Sequence, residues 1–376
     1  MVQTHRSRQL ESLVKTDGTL QLSIGSTEVP EPKQNEVLVR IEAAPINPTD
    51  LAVLLASADL ASLEAVEGDN GVVVQASIPS RILKLHARRV NKPLVAGFEG
   101  AGTVVAAGES DQAQALLGKV VAMTGGAMFS EYRCVPVADL MIMNPGTTAA
   151  QAASSIVNPM TALGFIETLR KEGHTAMVHT AAASNLGQML IRLCHQQDIA
   201  LVNIVRSPEQ RTLLKNQGAE FVIDSSDQDF RRDLTDALAT TGATLAFDAV
   251  GGGRLGNTVL SCMERAAAKN EPTSHYGTDL FKQLYIYGRL DLAPTELTAA
   301  YGFAWNVGGW LMGHFLRRTD PKRVKQLQQK ITDEISTTFA SHYAAEASFE
   351  QVLQTDAIRL YSALSTGNKY LLNPSA

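Results

Sequence analysis

Residues 175–193 read TAMVHTAAASNLGQMLIRL, and the organisation of the chain follows from this stretch. Residues 175–180 form a short apolar run. Residues 181–184 are Ala, Ala, Ala and Ser, and from 185 to 196 apolar residues recur with a helical period. A strand, a turn of small side chains and a helix opening at that turn suit a pyrophosphate. The backbone can come close to the anion, and the helix N-terminus aims its free N–H groups at it. Ala183, Ser184, Asn185 and Leu186 are the residues expected at the phosphates of a dinucleotide. The glycine pattern is poor, because Gly187 is the lone glycine here and Asn185 stands where a second is expected. Many turns of this kind are small for purely structural reasons, so the turn by itself reads either way.

The next predicted strand, 201–205, ends in NIVRSPEQR over residues 203–211. A site selective for NAD places an acid here for the ribose 2′-hydroxyl. This chain has Arg206, then Ser207, then Arg211 one turn into the following helix. A guanidinium pairs with a 2′-phosphate that a carboxylate would repel, which points to NADPH. Ser207, Pro208 and Gln210 also compose a capping box with proline at the first helical position. The alternative is that Arg206 is an ordinary surface residue and Ser207 only a cap.

Outward from this unit the rhythm persists. Helices are predicted over 158–172, closed by Gly173, and over 208–217, closed by Gly218. Strands are predicted at 221–223, 243–247 and 284–287. This alternation argues for a parallel sheet. A polar helix follows Pro321, and 369–372 reads as a closing strand. Before residue 150 the chain reads as mostly β, with strands at 20–24, 37–41, 103–105, 119–123 and 130–135 between glycine-rich turns. Residues 56–92 depart from that pattern. An acidic part (Asp59, Glu64, Glu67, Asp69) precedes a basic one (Arg81, Lys84, His86, Arg88, Arg89, Lys92), as in an insertion or a long, partly helical excursion. The basic run reads either as a solvated face or as a grip on the phosphate of coenzyme A.

The composition is that of an ordinary globular chain. Its 376 residues are 45% hydrophobic and 19% charged, with a net charge of −5. The length suggests two domains or three, and the acidic balance lacks the footprint of a duplex nucleic-acid binder. Cys134, Cys194 and Cys262 have neither metal-ligand spacing nor the look of a disulfide framework. The first residues contain no apolar leader, and no run approaches a membrane span. A reducing cytoplasm and no membrane partner are therefore expected. The eight histidines cluster nowhere in sequence. His179, inside a predicted strand, reads as a satisfied core histidine, and none is assigned a catalytic role.

Several segments resemble the medium-chain dehydrogenase/reductase superfamily, in its zinc-free branch of NADPH:quinone oxidoreductases and enoyl reductases. They are INPTD at 46–50, GFEGAGTVVAAG at 97–108, NPMTALG at 158–164, FDAVGG at 247–252, YIYG at 285–288, VGGWL at 307–311 and GNKYLLNP at 367–374. They run in family order across nearly the whole chain. The resemblance implies an α/β chain in which a GroES-like β-rich catalytic domain (1–155 and 338–376) is interrupted by a doubly wound, parallel-sheet Rossmann domain (156–337) that binds NADPH. It also implies that Asn47, Asn158 and Thr161 lie near the nicotinamide. Val250, Tyr287, Gly288, Leu290, Gly309 and Trp310 would line its amide side, although Tyr287 and Trp310 read equally as core or interface packing.

The zinc ligands of metal-dependent relatives correspond here to Asn47 and Phe98, and no cysteine lies near Val157 or Asn158 where a third would fall. No structural lobe of four close cysteines is present either, so no zinc is expected. What remains is hydride transfer from NADPH to an electrophilic small molecule, a quinone or an α,β-unsaturated carbonyl. Alignment and hydrogen bonding to the developing oxyanion would serve that reaction. No acid–base residue is assigned, and Asn47 is the best polar candidate. An enoyl-thioester reductase is a second reading, weakened because the tyrosine proton donor of that group is absent: no tyrosine precedes Tyr132. A low-turnover NADPH-binding protein is a third. The resemblance and the apolar segment FAWNVGGWL (303–311) suggest a homodimer paired through edge strands, with Trp305 and Trp310 as interface anchors. The alternative is a monomer whose edge is covered by the helix after Pro321.

Overall fold

In residues 158–329, strand–helix alternation builds a sheet of six parallel strands. In chain order these are Ala176–His179, Ala200–Val205, Phe221–Asp224, Leu245–Asp248, Lys282–Ile286 and Trp305–Gly309. They lie side by side in the order 3-2-1-4-5-6, that of a dinucleotide-binding doubly wound sheet. Ala176–His179 and Leu245–Asp248 are buried at every residue, because helices cover both faces of a parallel sheet. The helix Asn185–Gln196 buries Leu186, Met189, Leu190, Leu193 and Cys194. At one edge, Trp305–Gly309 pairs with Lys282–Ile286 and, among the described residues, with no other strand. The computed structural model describes residues 5–68, 71–363 and 366–376, so Asp69 of the acidic run lies outside the described residues.

The second compact unit joins residues 1–157 with 330–376. The later crossing between units falls inside the helix Pro321–Asp333, earlier than the position 337 expected from sequence. A seven-stranded sheet centres on Glu36–Pro45, which is flanked by Glu99–Ala107 and by the C-terminal strand Tyr370–Leu372. Gly102 permits the first of these pairings. A Cβ there would lie 1.9 Å from the Arg40 carbonyl oxygen.

A five-stranded sheet holds two elements that sequence reading did not supply. The strand His5–Val14 pairs antiparallel with Thr19–Val29 along its whole length. Its buried positions alternate but include Ser7 and Ser12 beside Leu10 and Val14, so the hydrophobic pattern is diluted. Within 56–92, the hairpin of Glu64–Gly68 and Gly71–Ser77 extends the same sheet. Only then come the helical turns Ser80–Leu83 and Lys84–Arg89. The excursion is thus partly helical, as expected, but begins as a hairpin. Arg81, Lys84, Arg88 and Lys92 are exposed. Arg89 instead turns inward and donates to the Val53 carbonyl (2.8 Å) and to Ser12 Oγ (2.9 Å).

Candidate functional site

In the parallel-sheet unit, the strands' C-terminal ends carry nearly every residue expected there. The chain reverses direction across the sheet between Ala176–His179 and Leu245–Asp248, where such folds hold their ligands. Thr180 Oγ1 donates to Asp248 Oδ1 (2.7 Å) and accepts the Ala249 N–H (2.8 Å). Asp248 also accepts the Val250 and Gly251 N–H groups (2.9 and 3.1 Å). The two strand ends are thereby locked together across the point of reversal.

The turn that follows is built for close approach. Ala182 and Ala183 are buried, and Ala181 takes a left-handed φ of 51°. Ser184 caps the helix by accepting the Gly187 N–H (3.2 Å). Asn185 and Leu186 open the helix, and Gly187 is required by contact. A Cβ there would sit 2.1 Å from the Ala182 carbonyl oxygen. The lone glycine of the sequence motif is thus the one that packs helix against turn.

Arg206, Ser207 and Arg211 stand at the end of Ala200–Val205. Arg206 is exposed. Ser207 caps its helix by accepting the Gln210 N–H (3.3 Å), whereas the Gln210 side-chain Oε1 accepts from the Arg206 N–H (3.0 Å). The expected reciprocal cap is therefore shifted by one residue on its return bond. Arg211 lies 3.8 Å from Asp227, so its charge is partly answered within the protein.

The loops carrying Val250, Tyr287, Gly288 and Leu290 are joined by backbone bonds from Tyr287 to Asp248 and from Leu290 to Ala249. Gly309 ends the sixth strand, and Trp310 donates its N–H to Ile286. Tyr287 Oη lies 2.7 Å from His179 Nε2. Burial holds the His179 pKa down to about 3, so its ring stays neutral. The Trp310 ring meets Phe165 edge-on at 4.8 Å, and its indole N–H donates to Thr168 (3.1 Å). Trp310 therefore packs within its own unit. Trp305 likewise stacks edge-on against Tyr301 and donates to the Gly302 carbonyl. Asn158 and Thr161 lie within the first five residues of the helix Val157–Lys171, with Thr161 buried.

In the β-rich unit the site is a buried polar cluster of side chains far apart in sequence. Asn47 caps the short helix Pro48–Leu54, and Asp50, three residues on, accepts the Asn47 backbone N–H (2.8 Å). Its other oxygen accepts the Phe98 N–H (2.7 Å). Glu99 takes the Asn47 side-chain amide on one oxygen (3.0 Å), and the N–H groups of Ile156 and Val157 on the other (3.2 and 2.8 Å). Asn47, Asp50 and Glu99 are 5%, 2% and 0% exposed.

Buried carboxyl groups resist ionisation, the more so beside another carboxylate. Burial, with Glu99 nearby, pushes the Asp50 pKa up to about 7. Burial raises Glu99 as well, against the pull of the Lys369 ammonium. Lys369, half-buried, donates to Ser154 Oγ (2.9 Å), and Tyr343 donates to the same oxygen (2.8 Å). Sequence reading named Asn47 and missed the rest. INPTD, GFEGAG and GNKYLL do contain Asp50, Glu99 and Lys369, but nothing in the sequence says that they meet. Ser154 and Tyr343 carried no signal.

The donor set does not suit zinc. Asn47 has its amide nitrogen committed to Glu99, and Phe98 offers no lone pair. Among the described residues, no group of three or more His, Cys, Asp or Glu could hold a metal ion, and no helix is long and apolar enough to cross a membrane.

Residues 33–145 match the alcohol dehydrogenase GroES-like domain. A curated relative, the synaptic vesicle membrane protein VAT-1 homolog of Rattus norvegicus, is 28% identical over 170 residues, covering 45% of this chain and 42% of that protein. The mitochondrial enoyl-[acyl-carrier-protein] reductase of Xenopus tropicalis is 29% identical over 211 residues, covering 54% and 51%. The chain thus spans about half the length of these curated relatives. Along its whole length it has the fold of a Mesorhizobium loti protein described as an NADPH:quinone reductase. The TM-score is 0.72, the identity 23%, and all of both chains is covered.

Proposed function

We propose that this chain belongs to the medium-chain dehydrogenase/reductase superfamily and is an NADPH-dependent, metal-independent reductase of quinones or α,β-unsaturated carbonyls, a reading supported by its GroES-like domain and its fold. One observation carries the reading. A helix N-terminus stripped of side-chain bulk stands at the reversal of a 3-2-1-4-5-6 sheet, and the next strand ends in an exposed arginine where an NAD site needs an acid. The small turn and Gly187 fit a pyrophosphate, and Arg206 fits a 2′-phosphate. Bound reduced nicotinamide would supply the hydride. Asn47, held by Glu99 through its side-chain nitrogen, is the polar side chain we assign to the cofactor. Asp50 and Glu99 hold that amide in place by fixing the helix start and the segment at 156–157. We place the protein in the cytoplasm as a homodimer.

The test is NADPH oxidation against a panel of quinones, enals and enones, with cofactor binding followed by fluorescence. Turnover with such acceptors supports the reading. Tight NADPH binding with a silent panel favours a low-turnover binding protein, a reading helped by the full engagement of Asp50 and Glu99 in holding backbone. Enoyl-thioesters belong in the panel, because the exposed Arg81, Lys84, Arg88 and Lys92 present charges suited to a phosphate. Preference for an enoyl-coenzyme A over the free enone would favour the thioester reductase.

A further inference from the structure

Within the parallel-sheet unit, the strand that ends at Arg206 has a neighbour whose loop also carries charge. The strand Phe221–Asp224 runs parallel to Ala200–Val205, with Asp224 opposite Val205. The Ser225 N–H donates to the Val205 carbonyl (2.8 Å), so the chain leaves both strands at the same level. The turn that follows brings Asp227 Oδ2 within 3.8 Å of the Arg211 guanidinium, one turn into the helix Pro208–Asn216.

The two partners are held unequally. Asp227 Oδ1 accepts the Asp229 N–H (3.0 Å), and the Asp227 carbonyl accepts the Phe230 N–H (3.1 Å) where the helix Phe230–Thr241 begins. The carboxylate is therefore tied into a turn by backbone bonds, leaving Oδ2 toward Arg211. At 3.8 Å that contact is a charge pair longer than a hydrogen bond. Arg211 Nε is buried and has no hydrogen-bond partner among the described residues. A long side chain attracted by charge but short of hydrogen bonds can leave its partner, whereas the carboxylate cannot follow it.

We propose that Asp227 is a specificity-determining residue: it draws Arg211 onto the protein's own carboxylate, so that a 2′-phosphate is met by Arg206 alone. Preference for NADPH over NADH is then held below what two arginines would give. The proposal rests on the reading of Arg206 as the partner of a 2′-phosphate, and not on turnover of any acceptor. That phosphate carries about two negative charges at neutral pH. To engage Arg211 it must break the pair with Asp227 and then lie near a carboxylate that stays in place. Binding exchanges one charge pair for another instead of adding one. Without the Asp227 charge, a guanidinium with an unused donor becomes a second arm for the phosphate.

The test is calorimetric titration with adenosine 2′,5′-bisphosphate and adenosine 5′-monophosphate, which differ only in the 2′-phosphate. Asp227→Asn keeps the Oδ1 acceptor of the turn and removes the charge. It is expected to bind the bisphosphate roughly tenfold more tightly than wild type, the gain of one hydrogen bond to a charge, and the monophosphate about as before. Arg211→Ala is expected to change bisphosphate binding by wild type less than about threefold, because its pair already occupies it. Placed on Asp227→Asn, the same substitution should return the affinity to near the wild-type value. If Asp227→Asn fails to fold, Asp227→Ser carries the comparison, because a serine hydroxyl can accept the same backbone N–H.

Unchanged or weaker bisphosphate binding in the Asp227 variant would overturn the proposal. A gain that persists after Arg211→Ala would overturn it too, because the carboxylate would then act by its field and not by holding Arg211. Arg206→Ala separates this failure from that of the parent reading. If it weakens the bisphosphate while the Asp227 variant gains nothing, the proposal falls alone. If wild type binds the two nucleotides alike and Arg206→Ala alters neither, the 2′-phosphate reading falls and the proposal with it.

Discussion

The two units build their polar sites in opposite ways. In the parallel-sheet unit, consecutive residues do the work: Thr180 to Gly187 form one turn whose backbone and absent side chains shape the site. In the β-rich unit the cluster comes from positions 47, 50, 99, 154, 343 and 369, brought in by several elements far apart in sequence and held by side-chain hydrogen bonds and charge. A site of the first kind is written locally and survives as a motif. A site of the second kind exists only once the sheets have closed, and it places buried charge at risk. Stability should therefore depend on side chains in one unit, and ligand selectivity on local backbone and strand ends in the other.

The largest effect that could break this contrast is Glu99→Ala. It leaves the Asn47 amide and two backbone N–H groups without an acceptor, and removes one of the two carboxyl groups whose charge acts on Lys369. Removing one member of a buried charged group costs about 3–5 kcal/mol, read by urea unfolding. A loss below about 1 kcal/mol would mean that the cluster does not hold its unit together.

Next is Arg206→Ala. A charge-assisted hydrogen bond contributes about 1.5–3 kcal/mol, so NADPH should bind roughly ten- to hundredfold more weakly while NADH is almost unaffected. Equal losses for both dinucleotides would remove the arginine from the site and sharpen attention on Arg211. Gly187→Val forces a methyl-bearing carbon into the Ala182 carbonyl. Overpacking of this kind costs about 1–3 kcal/mol, and both dinucleotides should weaken together in fluorescence titrations.

Asp50 supplies a pH test. Its folded pKa is about 7, against about 3.9 for an unfolded aspartate. Between about pH 4 and 7 the folded protein holds a proton that the unfolded chain has released. Stability from this group therefore falls as pH rises through that window and is flat above it. Unfolding midpoints at pH 5 and pH 8 should differ less in Asp50→Asn than in wild type, and an unchanged difference would show that Asp50 titrates normally.

The smallest effect on the fold, and the test of assembly, is Val307→Pro in the edge strand Trp305–Gly309. Proline removes a ladder donor and should block pairing between copies more than it disturbs the inner sheet. With Trp310 packed in its own unit, the pairing would rest on backbone and on exposed Phe303 and Leu311. Light scattering should give twice the chain mass of about 40 kDa for wild type and the single mass for the variant. A wild-type mass near 40 kDa would exclude the dimer.

The reach of sequence reading follows the same division. The helix Asn185–Gln196 is found at both ends, because its capping serine, small turn and periodic leucines all lie within twelve residues or so of one another. The strand His5–Val14 is lost, because Ser7 and Ser12 occupy inward positions. The hairpin at 64–77 is hidden inside a charged excursion, although Val72, Val73 and Val74 mark its second strand.

The amino-acid sequence by itself determined the alternating sheet unit, its small turn, the arginine after its second strand and the absence of soft ligands at Asn47 and Phe98. Those features are local, and period, residue size and charge report them directly. Only the tertiary structure decided that Asp50, Glu99, Ser154, Tyr343 and Lys369 share one polar neighbourhood, the first three of them buried. The C-terminal strand must pair with Glu36–Pro45 before Lys369 comes near Glu99. Polar side chains drawn together away from water then satisfy one another, since each would otherwise be left buried without a partner.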